Sequence, residues 1–242
     1  MSTRRPRSAK KKSDATIYYV VGAVVAALVV AGILIAVSMS GGDDGAEAAD
    51  SDTIAAIQDR VDGIPADGLV LGDPDAPVTI AEYSDIACIH CRTAAIRTVP
   101  AVIEQLVRDG EAKLEYVPTA FISASSERGA LGVLAAARQD AAWPFAEALF
   151  HMQGNAASDW LSEGDMEAVA AELGLDVDAW REAYSGTEVE EEFLEARDRI
   201  QAAGVQSTPT FVVSGPGGSE RIEGAVPASD LIAAVGRVAA AS

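Results

Sequence analysis

The sequence is short of the residues from which most cofactor and metal sites are built. Its 242 residues include only two cysteines and two histidines, and aromatic residues make up 5%. It also lacks a glycine-rich phosphate-binding loop, and its three tryptophans are scattered. These shortages argue against a flavin, a nicotinamide or a metal ion. We therefore expect no cofactor and no metal site.

Positive charge is scarce beyond the N-terminal segment. After Ser40 the chain has 12 basic residues against 36 acidic ones, a net charge of −24, and Lys113 is the only lysine. Phosphate groups bind to surfaces of the opposite sign, so this composition excludes nucleic acid and anionic lipid as ligands. The same charge favours solubility.

One long uncharged run stands near the N-terminus. Residues 17–39 are 23 consecutive uncharged residues, and as a helix they would be roughly 34 Å long, enough to cross a bilayer. Six basic residues precede the run, whereas acidic residues follow it. The positive-inside bias therefore predicts a cytoplasmic tail at 1–16, a single transmembrane helix at 17–39 and an extracytoplasmic remainder that begins with a linker at 40–65.

A cleaved signal peptide is the alternative interpretation of this run. Ala46-Glu47-Ala48 resembles a cleavage site, and a basic segment precedes the apolar one. The apolar run, however, exceeds the length of about 7 to 15 residues that is typical of signal peptides, and the candidate site lies several polar residues beyond it. A retained anchor in the cell membrane fits better. Both interpretations place the rest of the chain outside the cytoplasm.

The two cysteines form a Cys88-Ile89-His90-Cys91 motif in a compartment where disulfides persist. Such a motif can be a redox pair, half of a zinc site or a structural bridge. Zinc would require two further ligands, and only His90 and His151 are on offer. A bridge that closes a four-residue loop restrains little of the unfolded chain. A redox pair is therefore favoured, with His151 interpreted as a packing residue.

The residues around the cysteines support the redox interpretation. The segment 78–83 is rich in β-branched residues and follows a turn-rich stretch, which predicts a buried strand. After the cysteines, Thr93–Arg108 has apolar residues at helical spacing, interrupted by Pro100. This order places Cys88 at a helix N-terminus, where free backbone N–H groups and the helix dipole stabilise a thiolate.

Three motifs in this order resemble the DsbA family of thioredoxin-like proteins. They are the segment 71–85, the Cys-x-His-Cys motif and the segment 204–211, within a region of about Leu69–Ala240. The resemblance implies an α/β thioredoxin-like fold at 66–242 with a helical insertion at about 123–203. Ile89 stands where the best-known members have proline, so the resemblance does not give the redox potential.

The remaining patterns predict the other elements of this fold. A second strand is expected at Glu111–Pro118, a closing hairpin at Thr210–Ser214 and Arg221–Glu223, and a final helix at Pro227–Ala240. Within the predicted linker, Ile54–Val61 has the pattern of a short helix.

The cysteine motif also suggests roles for its members. Cys88 is predicted to be the exposed attacking thiol, and Cys91 to be buried and to resolve the mixed disulfide. The imidazole of His90 is expected to stabilise the Cys88 thiolate by charge or by a hydrogen bond.

The resemblance implies three further site residues. Glu82 would lie beneath the cysteines and assist proton transfer with the inner one; the alternative is a solvated glutamate at a sheet edge. Thr208 and Pro209 match the loop that faces the cysteines in this fold, with Pro209 in the cis form. That loop would expose the backbone of Thr208 for pairing with an extended substrate.

These expectations combine into a function. We expect an oxidase that introduces disulfides into exported, cysteine-containing client proteins and is recharged by a membrane or extracytoplasmic redox partner. A reductase or isomerase of the same fold and a non-enzymatic peptide-binding adaptor are the alternatives. An isomerase would carry a dimerisation domain, for which the predicted linker leaves no room, so we expect a monomer. An adaptor would not need both cysteines.

Overall fold

The computed structural model describes residues 50–153 and 159–240. In these two ranges, no helix is both long enough and apolar enough to cross a membrane. The predicted tail at 1–16, the predicted transmembrane helix at 17–39 and the first part of the predicted linker lie outside the described residues.

A six-stranded mixed sheet forms the centre of the described domain. Its strands are β1 (Ala66–Asp67), β2 (Val70–Leu71), β3 (Val78–Ser84), β4 (Ala112–Pro118), β5 (Thr210–Gly215) and β6 (Gly218–Glu223). The order across the sheet is β1-β2-β4-β3-β5-β6. Strand β3 pairs in parallel with β4 and antiparallel with β5, so its backbone is hydrogen-bonded on both sides. That central position explains why β3 is almost entirely buried.

Nine α-helices surround the sheet within the described part of the chain. They are α1 (Ser51–Val61), α2 (Ile89–Arg97), α3 (Val99–Val102), α4 (Ala124–Ala137), α5 (Ala142–Met152), α6 (Glu163–Glu172), α7 (Val177–Tyr184), α8 (Thr187–Ala202) and α9 (Ala228–Ala239). A single π-helical turn, Ile103–Val107, follows α3. Helices α4 to α8 lie between β4 and β5 in the chain, which corresponds to the helical insertion expected at about 123–203.

The two faces of β3 belong to different clusters of buried side chains. Val78 and Ile80 lie in the main core with residues of α2, α3, α5 and α9. Ala81 and Tyr83 lie on the opposite face and pack in a smaller cluster with Ile200 of α8. Since successive side chains of a strand alternate between faces, Glu82 is directed toward the main core.

The helix that follows the cysteines breaks where the sequence predicts. Helix α2 ends at Arg97, and Pro100 occupies the first turn of α3. Proline has no N–H group to continue the helical hydrogen bonds, so the helix ends and restarts. Helix α2 begins at Ile89 with Cys88 as its N-cap, which agrees with the predicted helix N-terminus at Cys88.

The second part of the predicted linker is a folded helix. The Asp50 carboxylate caps α1 by accepting the Thr53 N–H at 2.8 Å. Ile54 and Ile57 are buried in the main core, and each such burial stabilises the fold by about 2 kcal/mol. Arg108 also donates hydrogen bonds to carbonyl groups at the end of α1. Helix α1 is therefore part of the domain.

Two glycines of α4 allow the helical insertion to pack closely on its neighbours. A Cβ atom at Gly129 would lie 2.8 Å from the Cβ of Ile86, in the loop that follows β3. A Cβ atom at Gly132 would lie 2.6 Å from the sulfur of Met166. Both separations are too short for real side chains, so only glycine permits this packing.

The turn between β5 and β6 contacts the end of the last helix. The Gly217 N–H donates a hydrogen bond to the carbonyl of Val238 at 2.7 Å. At Gly215, a Cβ atom would lie 2.6 Å from that same carbonyl oxygen. The hairpin turn therefore supplies a donor to the C-terminal end of α9, where carbonyl groups lack helical partners.

Candidate active site

The two cysteines lie at the start of α2, as the sequence predicts. Cys88 is the N-cap residue with extended backbone angles, φ −83° and ψ 120°, and Cys91 is the third residue of the helix. Both are free thiols. The Asp85 N–H donates to the sulfur of Cys91 at 3.4 Å, so the end of β3 and the first turn of α2 share this contact.

Cys88 is much less exposed than the sequence suggests. Its relative exposure is 5%, against 0% for Cys91, so the prediction of an exposed thiol is wrong in degree although the order of the two is correct. The physical reason is the loop that carries Thr208. The Thr208 carbonyl oxygen lies 3.3 Å from the Cys88 sulfur, where it accepts a hydrogen bond when the thiol is protonated, and this loop covers the sulfur.

The two thiols differ strongly in acidity. The Cys91 thiol, as a hydrogen-bond donor, does most to lower the pKa of Cys88 to about 5, with smaller contributions from the Thr208 side chain and the backbone N–H groups of Cys91 and His90. For Cys91 itself, burial raises the pKa well above its ordinary value, and the neighbouring Cys88 adds to this rise. At neutral pH, Cys88 is therefore the thiolate and Cys91 the thiol.

The His90 side chain does not supply the stabilisation expected from the sequence. His90 is exposed, and its contribution to the lowered pKa of Cys88 comes from its backbone N–H group. The side-chain contributions come from Cys91 and Thr208 instead. The position of His90, not its side-chain chemistry, makes it relevant, because any residue except proline at the second position of α2 presents the same N–H group.

Glu82 is buried in the centre of the sheet. Its relative exposure is 1%, which excludes the alternative of a solvated glutamate at a sheet edge. Burial raises the pKa of Glu82 to about 7, and the nearby Ser84 hydroxyl opposes part of this rise. A carboxyl group with this pKa can both accept and donate a proton near neutral pH.

Asp85 is a site residue that the sequence analysis missed. It is fully buried, and its carboxylate accepts the N–H groups of Ala87 and Phe121 at 2.8 and 2.7 Å. These bonds fix the loop before Cys88 and tie it to the loop after β4. Its position directly after a buried strand was a signal that could have drawn attention to it.

The helical insertion holds the same loop from the other side. The Gln153 side chain donates to the Ile86 carbonyl at 2.6 Å, and Arg92 of α2 donates to the Phe150 carbonyl at 2.9 Å. No local sequence motif could reveal these contacts, because the paired residues are more than 50 positions apart in the chain.

The Thr208–Pro209 loop faces the cysteines as predicted. Its peptide bond is cis, and Pro209 is buried while its carbonyl accepts the Gly224 N–H at 2.8 Å. Three large apolar side chains near this site are about half exposed: Ile89, Phe121 and Ile122. Ile89 follows Cys88 directly, whereas the other two belong to the loop that Asp85 holds.

The chain matches proteins of known class over this domain. The family model described as thioredoxin matches residues 66–232, more than half of the chain. The probable disulfide bond formation protein D of Bacillus anthracis is 28% identical over 149 residues, covering 60% of this chain and 69% of that protein.

Solved structures share the fold. The crystal structure of oxidised BdbD from Bacillus subtilis has a TM-score of 0.63 at 22% identity, covering 70% of this chain and 91% of that one. A thioredoxin-like oxidoreductase from Silicibacter pomeroyi has a TM-score of 0.58 at 28% identity, covering 74% and 96%. The predicted α/β thioredoxin-like fold with a helical insertion is confirmed. The chain belongs to the thioredoxin family, and it is a DsbA-like thiol-disulfide oxidoreductase whose Cys-x-x-Cys pair is Cys88 and Cys91.

Proposed function

We propose that this protein is an oxidase that introduces disulfides into exported client proteins. In this scheme, a client thiolate attacks the sulfur of Cys88 in the oxidised protein, and Cys91 leaves. A second client thiolate then attacks the mixed disulfide and releases the client with a new disulfide. The two electrons of the client thiols pass to the cysteine pair, which a membrane or extracytoplasmic redox partner reoxidises.

The low pKa of Cys88 carries the proposal. A shift from an ordinary value of 9.0 to about 5 stabilises the reduced form at pH 7 by up to about 3 kcal/mol, part of which solvent screens. By the two-electron conversion, this raises the reduction potential by up to about 60 mV. A stabilised thiolate makes the disulfide the less stable form, and such a protein oxidises ordinary thiols.

The surroundings of Cys88 supply a surface for an unfolded client. The Thr208 carbonyl faces the Cys88 sulfur, and in the mixed disulfide this backbone is available to pair with an extended segment. The exposed side chains of Ile89, Phe121 and Ile122 offer apolar contacts beside it. Thr208 and Pro209 are therefore the proposed client-binding residues.

The proposed location is outside the cytoplasm, at the cell membrane. The uncharged run at 17–39 and the basic residues before it support a single-pass anchor with a cytoplasmic N-terminus. Clients would then be exported proteins that have just crossed the membrane. We also propose that the protein is a monomer and uses no cofactor.

A redox titration tests the oxidase proposal. The full-length protein is equilibrated with mixtures of reduced and oxidised glutathione, and the Cys88 thiolate is titrated by its ultraviolet absorbance, with Cys88→Ser as the control for background absorbance. We expect a Cys88 pKa near 5 and a potential well above that of thioredoxin, which is about −270 mV. A Cys88 pKa near 8, or a potential as reducing as that of thioredoxin, would favour the reductase instead.

A further inference from the structure

A small cavity lies between β3, β4, α2, α3 and α5. Its volume is about 10 Å³, roughly the space that one water molecule requires. Ala95, one helical turn after Cys91, lines it together with Val99 and Phe150. Because Ala95 has so small a side chain, this space stays open.

Two buried polar groups beside this cavity have no hydrogen-bond partner. Within the described residues, one carboxyl oxygen of Glu82 and the hydroxyl of Tyr116 are buried and unpaired. Both residues line the cavity, and they are direct cross-strand neighbours in the register of β3 and β4. Unpaired buried polar groups are costly, so a water molecule in the cavity would serve both.

A second carboxyl group closes the opposite side of the cavity. Glu147 of α5 lines it and is itself largely buried. Its carboxylate pairs with Arg60 of α1 and lies 3.9 Å from the imidazole of His151. The side chains of Arg60 and His151 are 22% and 29% exposed, so this polar cluster reaches the solvent. From the sequence, His151 was expected to be a packing residue only.

We propose that Glu147 relays protons between solvent and Glu82, through a water molecule in the cavity, as the cysteine pair changes its redox state. Glu147 touches neither sulfur; it acts through Glu82. The proposal rests on the dithiol exchange of the proposed function and adds the route by which its proton moves.

The proton balance of the exchange defines the step. When a client thiolate attacks Cys88, the Cys88–Cys91 bond breaks, a bond between Cys88 and the client forms, and Cys91 leaves as a thiolate. Cys91 then takes a proton from Glu82, whose carboxylate is reprotonated from solvent through the cavity water and Glu147. The reverse reaction carries the proton outward, because Cys91 must lose it before it attacks.

The ionisable groups beside this route can orient the water molecule and exchange protons with solvent. Burial raises the pKa of the Tyr116 phenol well above its ordinary value, and negative charge on Glu82 or Cys91 adds to the rise. The phenol therefore stays protonated and can orient the water. Arg60 from α1 and His151 from α5 are titratable groups that face Glu147.

The test separates the rate of exchange from its equilibrium. Oxidised full-length protein is mixed with dithiothreitol between pH 5 and 9, and the reaction is stopped with acid and followed by alkylation of the free thiols. The variants are Glu147→Gln and Glu147→Asp. Glu115→Gln is the matched control, because Glu115 forms a bidentate ion pair with Arg199 but does not line the cavity.

We expect Glu147→Gln to slow reduction about tenfold at pH 7. The change in rate that the wild type shows near the pKa of Glu82 should disappear in this variant. Its equilibrium constant with glutathione should stay within about twofold of the wild-type value. Glu147→Asp should recover most of the rate. The relay is wrong if Glu147→Gln reacts at the wild-type rate, if Glu115→Gln slows equally, or if rate and equilibrium constant change together, as a structural role would require.

A cavity-filling variant keeps the test decisive if Glu147→Gln does not fold. Ala95→Val leaves every carboxyl group in place but removes the space for water, so it should slow reduction by a similar factor. A wild-type rate for Ala95→Val overturns the relay. A potential as reducing as that of thioredoxin would overturn the oxidase proposal instead, and these rate comparisons would still stand.

Discussion

At the scale of single residues, the two sulfurs differ because their neighbours differ. The Cys88 sulfur accepts hydrogen bonds from the Cys91 thiol, the Thr208 side chain and two backbone N–H groups. All of these favour its thiolate form. Cys91 is enclosed, and its pKa rises because burial disfavours its charge. The start of this helix thus holds a more acidic thiol and a less acidic thiol three positions apart.

The Thr208 hydroxyl provides a direct check of this assignment. Thr208→Val keeps the branched shape and the carbonyl but removes the hydroxyl, so the pKa of Cys88 should rise by about one unit. His90→Ser is the matched comparison: the backbone N–H remains, and the pKa should change by less than about 0.3 unit. Thiolate absorbance measures both. A larger shift for His90→Ser than for Thr208→Val would restore the role first predicted for the imidazole.

At the scale of elements, the position of the cysteine loop depends on α4. Gly129→Ala would drive a methyl group into Ile86, two residues before Cys88. We expect the free energy of unfolding to fall by about 1 to 3 kcal/mol in urea titrations, although alanine favours a helix more than glycine does.

Gly236 offers a matched control for this change. It is an exposed glycine of α9, and a methyl group added there would have no atom within 4 Å. Gly236→Ala should therefore stabilise the protein by about 0.5 to 1 kcal/mol through helix propensity alone. Equal changes in the free energy of unfolding at both positions would show that the Ile86 side chain moves aside without cost. Helix α4 would then not hold the loop.

The sequence predicted elements whose signals are local. Strands β3, β4 and β5 and the break at Pro100 were all apparent from residue type and spacing. Strands β1 and β2 were missed because each has two residues, too few for a pattern. Helix α1 falls in the predicted linker because only two of its side chains are buried.

The residues of the candidate site were likewise predictable only where a local motif or the family resemblance marks them. The cysteines, Glu82 and the Thr208–Pro209 loop follow from motifs and resemblance. Tyr116 and Glu147 could not be found in this way, since they meet Glu82 only through the strand register and the packing of α5. The covering of Cys88 is likewise a contact across 120 positions of chain.

At the scale of the whole molecule, the charge pattern predicts an orientation in the membrane. A reporter enzyme fused after Ser242 should be active only outside the cytoplasm, since the basic residues before residue 17 hold the N-terminus inside. Fusions of an export-dependent and a cytoplasm-dependent reporter, compared in the same cells, measure this. A soluble product that begins near Ala49 would contradict the retained anchor but not the compartment.

The contact between the hairpin turn and the end of α9 determines where a pull on the C-terminus would be felt. Such a force first loads the hydrogen bond from Gly217 to Val238 and then passes into β5 and β6, which that turn joins. Strand β5 is hydrogen-bonded directly to β3, whose end holds the cysteine loop, and α9 shares the main core with β3. A tension that peels α9 away would therefore reach the strand that positions Cys88 and Cys91.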